Sequence, residues 1–346
     1  MAGRQVATWR RIFSVEEDEP QIAHLHHLTP LHDAAFNLWN TARVVTHLHG
    51  TELKMIETIR DTAGLTYDEW WIEQMRKNAE QSSLLMTISP QDRDLTLELL
   101  SVSPDKVVTV PNGTPGSIAY SDADLRFFRN ADGSPAPVLL FVGRFIAFKR
   151  IDVLLEAYEM FRADSEQKAP LVIWGGFPGE WEGEHPYEYV TRRGIEGVFF
   201  AGWRGHDDLP VALASADVFV APSVDEPFGQ VYLEAMACGL PVIATSTGGP
   251  KSFVNVEPER ETGWLVEPGD AHSLKSAMVA AVDSVGLRET RERNARRFVE
   301  REYSWDRIAD QVTGVYESVM TAQSFLKYTG RGPKNHGWQG GKNECR

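Results

Sequence analysis

The sequence predicts a two-domain α/β protein, and three observations support this fold class. Short apolar runs that end in glycine alternate with segments of helical periodicity, which is the pattern of parallel β-α-β units. With 346 residues, the chain is long enough for two domains of roughly 150 residues that each bury a core. Residues 113–136 are rich in glycine, serine, aspartate and proline, a composition typical of an interdomain linker.

Composition narrows the classes of function. Hydrophobic residues at 42% and charged residues at 24% are typical of a soluble globular protein. A net charge of −14 argues against a broad surface for nucleic acid or anionic membranes, although one basic loop can still hold a diphosphate. The only cysteines are Cys238 and Cys345, so we expect no disulfide framework and a reducing, cytoplasmic location. No apolar run approaches the ~20 residues of a spanning helix, and residues 1–20 lack the apolar core of a signal peptide.

The first domain, residues 1–112, is predicted to contain four short strands and their connecting helices. Strands are expected at residues 21–25, 43–46, 83–88 and 106–110, and helices at 51–60, 68–80 and from Pro90 onward, capped by Ser89. The aspartates at 92 and 94 and at 122 and 124 have a spacing that a metal-binding site could use. One pair falls on a predicted helix and the other in the linker, so we interpret both as incidental.

Histidines accumulate at the first two strands of this domain. They are His24, His26, His27 and His32 in one group, and His47 and His49 in the other. Such a set could bind a metal ion, or it could consist of polar residues at strand ends that face a cleft. No carboxylate or cysteine lies at a recognisable ligand spacing, so we favour the second interpretation and predict no metal site.

The second domain, residues 137–302, opens with a strand, a basic loop and a helix. Residues 138–142 form the predicted strand, and Ile151, Leu154 and Tyr158 recur on one face of the helix that follows. Arg144 and Lys149 lie in the loop between them. The basic residues could form an ordinary surface turn. In a parallel sheet, however, such loops gather at the carboxyl edge where ligands bind.

A second strand, loop and helix unit places two glutamates near a helix N-terminus. The predicted strand ends at Ala221, the loop carries Glu226, and the helix begins at Gly229 and carries Glu234. The unpaired N–H groups at such a terminus favour an anion such as a diphosphate. Because carboxylates repel phosphate, we expect the two glutamates to face hydroxyl groups, for example those of a sugar. For the pair alone, a solvated loop acid and a surface helix position remain the alternative.

Together these two units resemble a known family. The motif GR…KR at Gly143, Arg144, Lys149 and Arg150, and the segment EPFGQVYLEAMACGLPVIA at residues 226–244, are similar to the donor domain of the retaining GT-B glycosyltransferases of family 4. The likeness extends over most of residues 21–318. It implies GT-B architecture, with two Rossmann-like domains facing a cleft. It also implies metal-independent, retaining transfer of a sugar from a nucleotide diphosphate sugar, without a cofactor.

The resemblance also implies roles for particular residues. Arg144 and Lys149 would bind the donor phosphates, Glu226 the transferred sugar, and Glu234 the ribose. His49 precedes a glycine, and a histidine at this place in the family faces the donor sugar and the acceptor. The candidate catalytic residues are Glu226, His49, Arg144 and Lys149. The remaining donor-binding candidates lie in the diphosphate region, at Phe228, Gly229, Gln230 and Val231.

The sequence departs from the family pattern in two places. The family usually has a glutamate where this chain has Ser252, and it begins with a strand and a glycine-rich loop that faces the donor. This chain has Gly3 and no further glycine before Gly50, so the first domain is predicted to be incomplete. A catalytically silent sugar-nucleotide-binding or interaction protein is therefore an alternative function. A phosphorylase or an epimerase on the same architecture is a third.

The end of the chain completes the predicted organisation. Tyr303 to Trp305 resemble the start of the family's closing helix, which is expected over residues 303–325 and returns to the first domain. Residues 326–346 are glycine-rich and polar, and we predict a disordered tail. The acceptor is undefined by these motifs and could be a glycan, a lipid or a small molecule.

Overall fold

The fold was analysed in a computed structural model, which describes residues 20–29, 32–61, 66–115, 128, 133, 136–165, 167, 169–176, 179 and 181–329. The strands are β1 (Ile22–His26), β2 (Arg43–His47), β3 (Leu84–Thr87), β4 (Val107–Thr109), β5 (Leu139–Gly143), β6 (Leu171–Gly175), β7 (Val198–Gly202), β8 (Val218–Val220), β9 (Val242–Thr245) and β10 (Gly263–Val266). The α-helices are α1 (His32–Leu38), α2 (Thr51–Asp61), α3 (Thr66–Gln81), α4 (Pro90–Leu100), α5 (Ile151–Asp164), α6 (Pro186–Arg193), α7 (Leu209–Ala214), α8 (Gln230–Ala237), α9 (Ala271–Asp283), α10 (Val285–Glu302) and α11 (Trp305–Thr329).

The second domain contains a six-stranded parallel sheet in the order β10-β9-β8-β5-β6-β7. The strand order reverses between β5 and β8, which are neighbours with Leu139 opposite Val218. At such a switch point the loops leave the carboxyl ends of two adjacent strands in opposite directions, and a crevice opens between them. The loops that carry Arg144 and Glu226 are the two that flank this crevice.

The first domain contains a four-stranded parallel sheet in the order β1-β2-β3-β4. Because all four strands are parallel, the loops that follow them share one edge of the sheet. This edge carries the histidines of β1 and β2, and it also carries Ser89. The Ser89 hydroxyl accepts a hydrogen bond from the N–H of Asp92 at 3.1 Å, with Pro90 in the first turn, so the predicted cap of α4 is confirmed.

Helix α11 packs on the first sheet. Its Ile308 and Val319 belong to one buried cluster with the strand residues Val45, Leu84 and Met86. A separate, larger cluster forms the core of the second domain. The last helix of the chain therefore returns from the second domain and covers one face of the first sheet.

Two sequence predictions differ from the observed elements. The histidine segment after β1 contains helix α1, which the apolar pattern did not indicate, and His26 and His47 are the last residues of their strands rather than loop residues. Helix α11 runs to Thr329, past the predicted end at residue 325, so the first residues of the predicted tail are helical. Residues 330–346 and 1–19 lie outside the described residues, and the predictions of a disordered tail and of a missing first strand fall there.

Candidate active site

The loops after β5 and β8 meet at the switch point. The Nζ atom of Lys149 lies 2.5 Å from Oε2 of Glu226, and only 12% and 11% of the two side chains are exposed. The N–H of Val224 donates to the carbonyl of Phe148 at 2.8 Å and joins the loops a second time. The structure thus pairs one predicted catalytic cation with the predicted catalytic carboxylate, in the crevice where parallel sheets bind ligands.

Two glycines hold the backbone of Glu226 in place. The N–H of Gly249 donates to the carbonyl of Glu226 at 2.7 Å. Gly248 adopts φ +77°, and a Cβ there would lie 2.8 Å from the backbone nitrogen and oxygen of Glu226, so any side chain would push this loop away. From below, the hydroxyl of Thr245 donates to the carbonyl of Ser223 at 2.5 Å. These contacts therefore fix the backbone of the loop that carries the Glu226 carboxylate.

Helix α8 begins beside this loop, with Gly229 as its N-cap residue at φ +90°. No side chain among the described residues caps this terminus, so its first N–H groups can receive an anion. The ring of Phe228 is 4% exposed and packs against Phe253 and Tyr303, at centroid distances of 5.8 and 6.5 Å. Only the backbone of Phe228 is therefore positioned for the predicted diphosphate region, because its ring belongs to the core.

The other donor-binding candidates on α8 have different surroundings. The amide of Gln230 donates to the carbonyl of Gly113 at 2.8 Å, which joins the helix to the end of the first domain. Val231 is partly buried against the main core. Burial raises the pKa of Glu234, and His206 opposes this shift from 3.8 Å away. Glu234 is thus a poorly solvated carboxyl group, suited to accepting hydrogen bonds from a ligand's hydroxyl groups.

The two domains touch directly at this site. Gly50, at φ +81°, lies so close to Pro227 that a Cβ would come within 2.7 Å of the proline Cβ. Lys54 donates to the backbone carbonyl of Asp225. Its Nζ also lies 5.0 Å from the centre of the Phe148 ring, and the Nζ of Lys149 lies 5.1 Å from the same ring. One lysine from each domain therefore approaches the same aromatic ring.

A cleft of about 580 Å³ opens beside this contact. It is lined on one side by helix α4 and on the other by the segment after β9, with polar residues that include Gln91, Asp94, Glu98, Ser246, Thr247 and Lys251. Ser252, at the position where the resembled family has a glutamate, lines the same cleft, and its hydroxyl donates to the carbonyl of Gly249 at 2.6 Å. The cleft is large and polar enough for a hydrophilic ligand.

Buried carboxyl groups lie on the first-domain side of the contact. Burial, together with the charge of Glu52, raises the pKa of Asp92 to about 7, while Lys54 opposes the shift. Glu52 accepts hydrogen bonds from Nδ1 of His27 at 2.8 Å and from the N–H of Leu28 at 3.1 Å. One carboxylate oxygen of Asp92 and one of Glu52 have no partner within the described structure. Neither the burial of Asp92 nor its proximity to Glu52 is visible in a motif, so the sequence did not indicate either residue as part of the site.

The histidines form a stack on the same side. His49 accepts or donates a hydrogen bond through Nε2 to Nδ1 of His26 at 2.9 Å, and its ring lies 4.5 Å from that of His47. Burial first, and neighbouring histidines second, lower the pKa of His47 to about 3 and that of His49 to about 4. His49 is consequently neutral at pH 7 and lies next to Gly50 at the domain contact, where a histidine was expected.

The remaining catalytic candidate, Arg144, is exposed at the start of the loop that carries Lys149. The structure therefore brings Lys149, Glu226 and the start of α8 together in one crevice, with Arg144 at its rim and His49 on the opposite domain. In the part of the chain that the structure describes, no helix combines the length and the apolar character needed to cross a membrane.

The fold and the site together define a class of protein. Two parallel sheets of Rossmann type, with their ligand-binding edges brought together at an interdomain contact, form the GT-B glycosyltransferase fold, so the predicted fold class is confirmed. Solved structures agree. Sucrose-phosphate synthase from Thermosynechococcus elongatus aligns with a TM-score of 0.70 at 25% identity, over 93% of this chain and 78% of that one. The Anabaena protein HepE, solved in complex with UDP, aligns with a TM-score of 0.71 at 20% identity, over 92% of this chain and 82% of that one.

Sequence comparisons give the family. The family model described as "Glycosyl transferases group 1" matches residues 123–298, and the one described as "Glycosyltransferase Family 4" matches residues 3–115. The chain belongs to the group 1 glycosyltransferases. An uncharacterized glycosyltransferase of Methanocaldococcus jannaschii is 32% identical over 69% of this chain, and a D-inositol 3-phosphate glycosyltransferase of Corynebacterium aurimucosum is 29% identical over 83%. The matched regions span 61% and 68% of those two proteins.

Proposed function

We propose that the protein transfers a sugar, most simply a hexose, from a nucleotide diphosphate sugar to an acceptor hydroxyl group, with retention at the anomeric carbon. The observation that carries this proposal is the Lys149–Glu226 pair beside the N-terminus of α8, at the switch point of the second sheet. In one crevice, the cation and the free N–H groups suit the diphosphate and the negative charge that develops on it as it leaves. The carboxylate suits the hydroxyl groups of the sugar.

Binding of the donor follows from the charges of the site. The diphosphate would lie against the N–H groups at the start of α8 and near the cations Lys149 and Arg144. Glu226 would accept hydrogen bonds from hydroxyl groups of the sugar, and Glu234 from those of the ribose. The overall charge of −14 gives no general attraction for an anion, so this local arrangement has to supply it.

The chemical step needs stabilisation of the departing diphosphate. As the bond between the anomeric carbon and the diphosphate oxygen breaks, Lys149, Arg144 and the helix N–H groups lie where the negative charge develops, without rearrangement of solvent. The acceptor oxygen forms the new bond on the same face of the sugar, and its proton passes to the leaving phosphate oxygen. This route requires neither a protein base nor a metal ion on the diphosphate.

A covalent intermediate on Glu226 is the competing route to retention. In that route the carboxylate attacks the anomeric carbon and the acceptor then displaces it. Mass spectrometry of the quenched enzyme after reaction with a slow donor distinguishes the routes, since a glycosyl adduct on Glu226 supports the covalent one. Full activity of Glu226→Gln would exclude any essential role of this carboxylate.

The experiment that tests the proposal is calorimetric titration with UDP, GDP and ADP and their common sugar conjugates. UDP comes first because the structural relative HepE was solved with UDP. We expect micromolar binding of one nucleotide, weakened in Arg144→Ala and in Lys149→Ala. Lys275→Ala is the matched control, because Lys275 lies on the surface of the same domain and pairs with Asp164 at 2.8 Å.

Turnover is then measured with the donor that binds. Retention is shown by the anomeric coupling in the NMR spectrum of the product, and metal independence by unchanged turnover in EDTA. Absence of nucleotide binding in a folded sample would overturn the proposal. Binding without transfer to any of a panel of glycan, lipid and small-molecule acceptors would favour the silent sugar-nucleotide-binding protein instead.

A further inference from the structure

Three histidines from two adjacent strands converge at the edge of the first sheet. His24 and His26 alternate along β1 and so share one face, and His26 lies opposite His47 in the register of β2. One ring nitrogen from each of these three residues lies within 4.8 Å of the other two. The rings are also close, with centroids 4.7 Å apart for His24 and His26, and 5.6 Å for His26 and His47.

The second nitrogen of each ring is already occupied by a hydrogen bond. Nδ1 of His24 lies 2.6 Å from the hydroxyl oxygen of Tyr316 on α11, and Nδ1 of His26 lies 2.9 Å from Nε2 of His49. His47 interacts with the backbone of Val110, and since its Nε2 makes no hydrogen bond within the described structure, we assign that interaction to Nδ1. All three rings are therefore held through Nδ1, which leaves Nε2 as the available atom.

Two of the available nitrogens have no partner in the part of the chain that the structure describes. Nε2 of His24 and Nε2 of His47 are both buried and make no hydrogen bond within the described structure. Unsatisfied buried polar atoms are rare in folded proteins, and a bound ion is one explanation for two such atoms at one place. A ring that donates through one nitrogen and presents a lone pair on the other is the usual arrangement of a metal-binding histidine.

We propose that His24, His26 and His47 bind a divalent transition metal ion, with Zn²⁺ as the best match to three imidazole ligands. Two nitrogens bound to a tetrahedral Zn²⁺ are separated by about 3.4 Å, given Zn–N bonds of about 2.0–2.1 Å. The observed spread of up to 4.8 Å therefore closes by small rotations of the rings. Tyr316 and His49 are positioning residues that fix the orientation of two of the ligands.

The proposed ion would lie on the first domain, near its contact with the second domain. The cluster lies at the carboxyl edge of the first sheet, and His49, bonded to His26, is adjacent to Gly50 at the contact with Pro227. Three protein ligands leave the fourth position of a tetrahedral ion to water or to an oxygen atom of a bound molecule. The ion would belong to the first domain, away from the Lys149–Glu226 pair, so its presence is separate from the proposed sugar transfer.

Metal binding by the full chain, prepared without a histidine tag and treated with a chelator, tests this inference. We expect one equivalent of Zn²⁺ in calorimetry and one equivalent of Co²⁺ with the visible absorption of a tetrahedral complex. Zn²⁺ is also expected to raise the thermal midpoint, because an ion that binds only the folded state stabilises it. None of these readouts depends on enzymatic activity.

Variants identify the ligands. His26→Gln is the first choice, because His26 is exposed and its replacement leaves the core intact. We expect it to abolish the Co²⁺ spectrum. Tyr316→Phe removes only the hydrogen bond to His24, and loss of such an outer partner weakens metal binding by about 10- to 100-fold. His272→Gln, an exposed histidine on α9, is the matched control and is expected to bind like the wild type.

Either of two outcomes would overturn the inference. One is the absence of stoichiometric Zn²⁺ or Co²⁺ binding by a folded wild-type chain. The other is binding that survives unchanged in His26→Gln and in the double variant His24→Gln/His26→Gln, which would assign the ion to other residues. A circular dichroism spectrum of each variant confirms that loss of metal binding does not result from unfolding.

Discussion

The two sides of the interdomain contact bury their polar groups in different ways. On the second domain, Lys149 and Glu226 form an ion pair in which both side chains are almost buried. On the first domain, Asp92 and Glu52 each have one oxygen without a partner among the described residues, and burial together with the charge of Glu52 raises the pKa of Asp92 to about 7. The pKa values of His47 and His49 are lowered there. One side thus keeps opposite charges together, whereas the other side holds the neutral imidazoles of His47 and His49 and a carboxyl group, Asp92, whose pKa of about 7 leaves it about half protonated at neutral pH.

This difference indicates what each side can receive. A charge pair can be separated by a ligand that offers charges of its own, as a nucleotide diphosphate sugar would. Neutral imidazoles can accept a cation, and the Asp92 carboxyl group, in its protonated form, can donate to a hydroxyl group. Single substitutions test this difference between the two sides, beginning with the Lys149–Glu226 pair.

Removal of Lys149 is expected to have the largest effect. In Lys149→Ala the Glu226 carboxylate stays buried without a partner, which should lower the free energy of unfolding by about 3 kcal/mol. Loss of one group that stabilises developing charge should also lower kcat by about 100- to 1000-fold. Chemical denaturation and steady-state kinetics measure the two effects, and Lys275→Ala, with its exposed ion pair, is expected to change neither appreciably. Equal behaviour of the two variants would show that the buried pair has no special role.

Insertion of a methyl group at the domain contact is expected to come next. In Gly50→Ala the new Cβ meets Pro227 at 2.7 Å, so we expect a loss of about 1–3 kcal/mol in stability and weaker transfer. Gly183→Ala is the matched control, because Gly183 has a similar φ of +75° but no atom of the described residues lies within 4 Å of the added Cβ. The difference between the two variants isolates the collision from the backbone strain. If both lose the same stability, Gly50 and Pro227 are not in contact in solution.

The raised pKa of Asp92 predicts that the free energy of unfolding depends on pH. Its pKa is about 7 in the folded protein and 3.8 in an unfolded chain, so the folded state holds the proton more tightly. The stabilisation is fully present below pH 4 and is lost as the pH rises to about 7. Asp92→Asn imitates the protonated form, so its free energy of unfolding should fall less than that of the wild type between pH 5 and 8. Denaturation at the two pH values measures this, and parallel curves would show that Asp92 is ionised in the folded state.

The smallest effect is expected at Gln230. Its amide donates to the carbonyl of Gly113, and Gln230→Ala removes one hydrogen bond worth about 1 kcal/mol. We expect a small loss of stability in denaturation and, in calorimetry, a weaker effect on nucleotide affinity than Arg144→Ala has. A large loss of nucleotide affinity with unchanged stability would instead mean that the amide contacts the donor.

Sequence patterns predicted that the second-domain candidates lie together, because most of them are local in the chain. Glu226 and Gly229 lie three residues apart, and the loop with Lys149 follows the next strand in the sheet, so strand order alone brings them to one edge. The direction of each side chain was less accessible. The ring of Phe228 is buried against Phe253 and Tyr303, which are distant in sequence, and no local pattern reveals that packing.

The first-domain side was harder to predict because the register of neighbouring strands, rather than spacing along the chain, brings its residues together. Spacing in the sequence gave no metal-ligand pattern, yet the alignment of β1 with β2 places His26 opposite His47, and α11 brings Tyr316 to His24 from the far end of the chain. Likewise, Asp92 sits in a first helical turn, where an acid normally remains solvated. Only the burial of that turn beside Glu52 changes its pKa. Alternation of side chains along β1 was the one sequence signal that could have indicated a shared face.

The route of the chain between its two halves limits how they can move. After Gly113 the chain leaves the first domain, and at Tyr303 to Trp305 it returns. The N–H of Thr114 donates to the carbonyl of Tyr303 at 2.9 Å, and Trp305 covers Gly113, so the two crossings lie side by side. Two adjacent crossings form a hinge-like connection. We therefore expect opening and closing of the proposed site between Glu226 and His49 to occur mainly as a rotation of one half relative to the other.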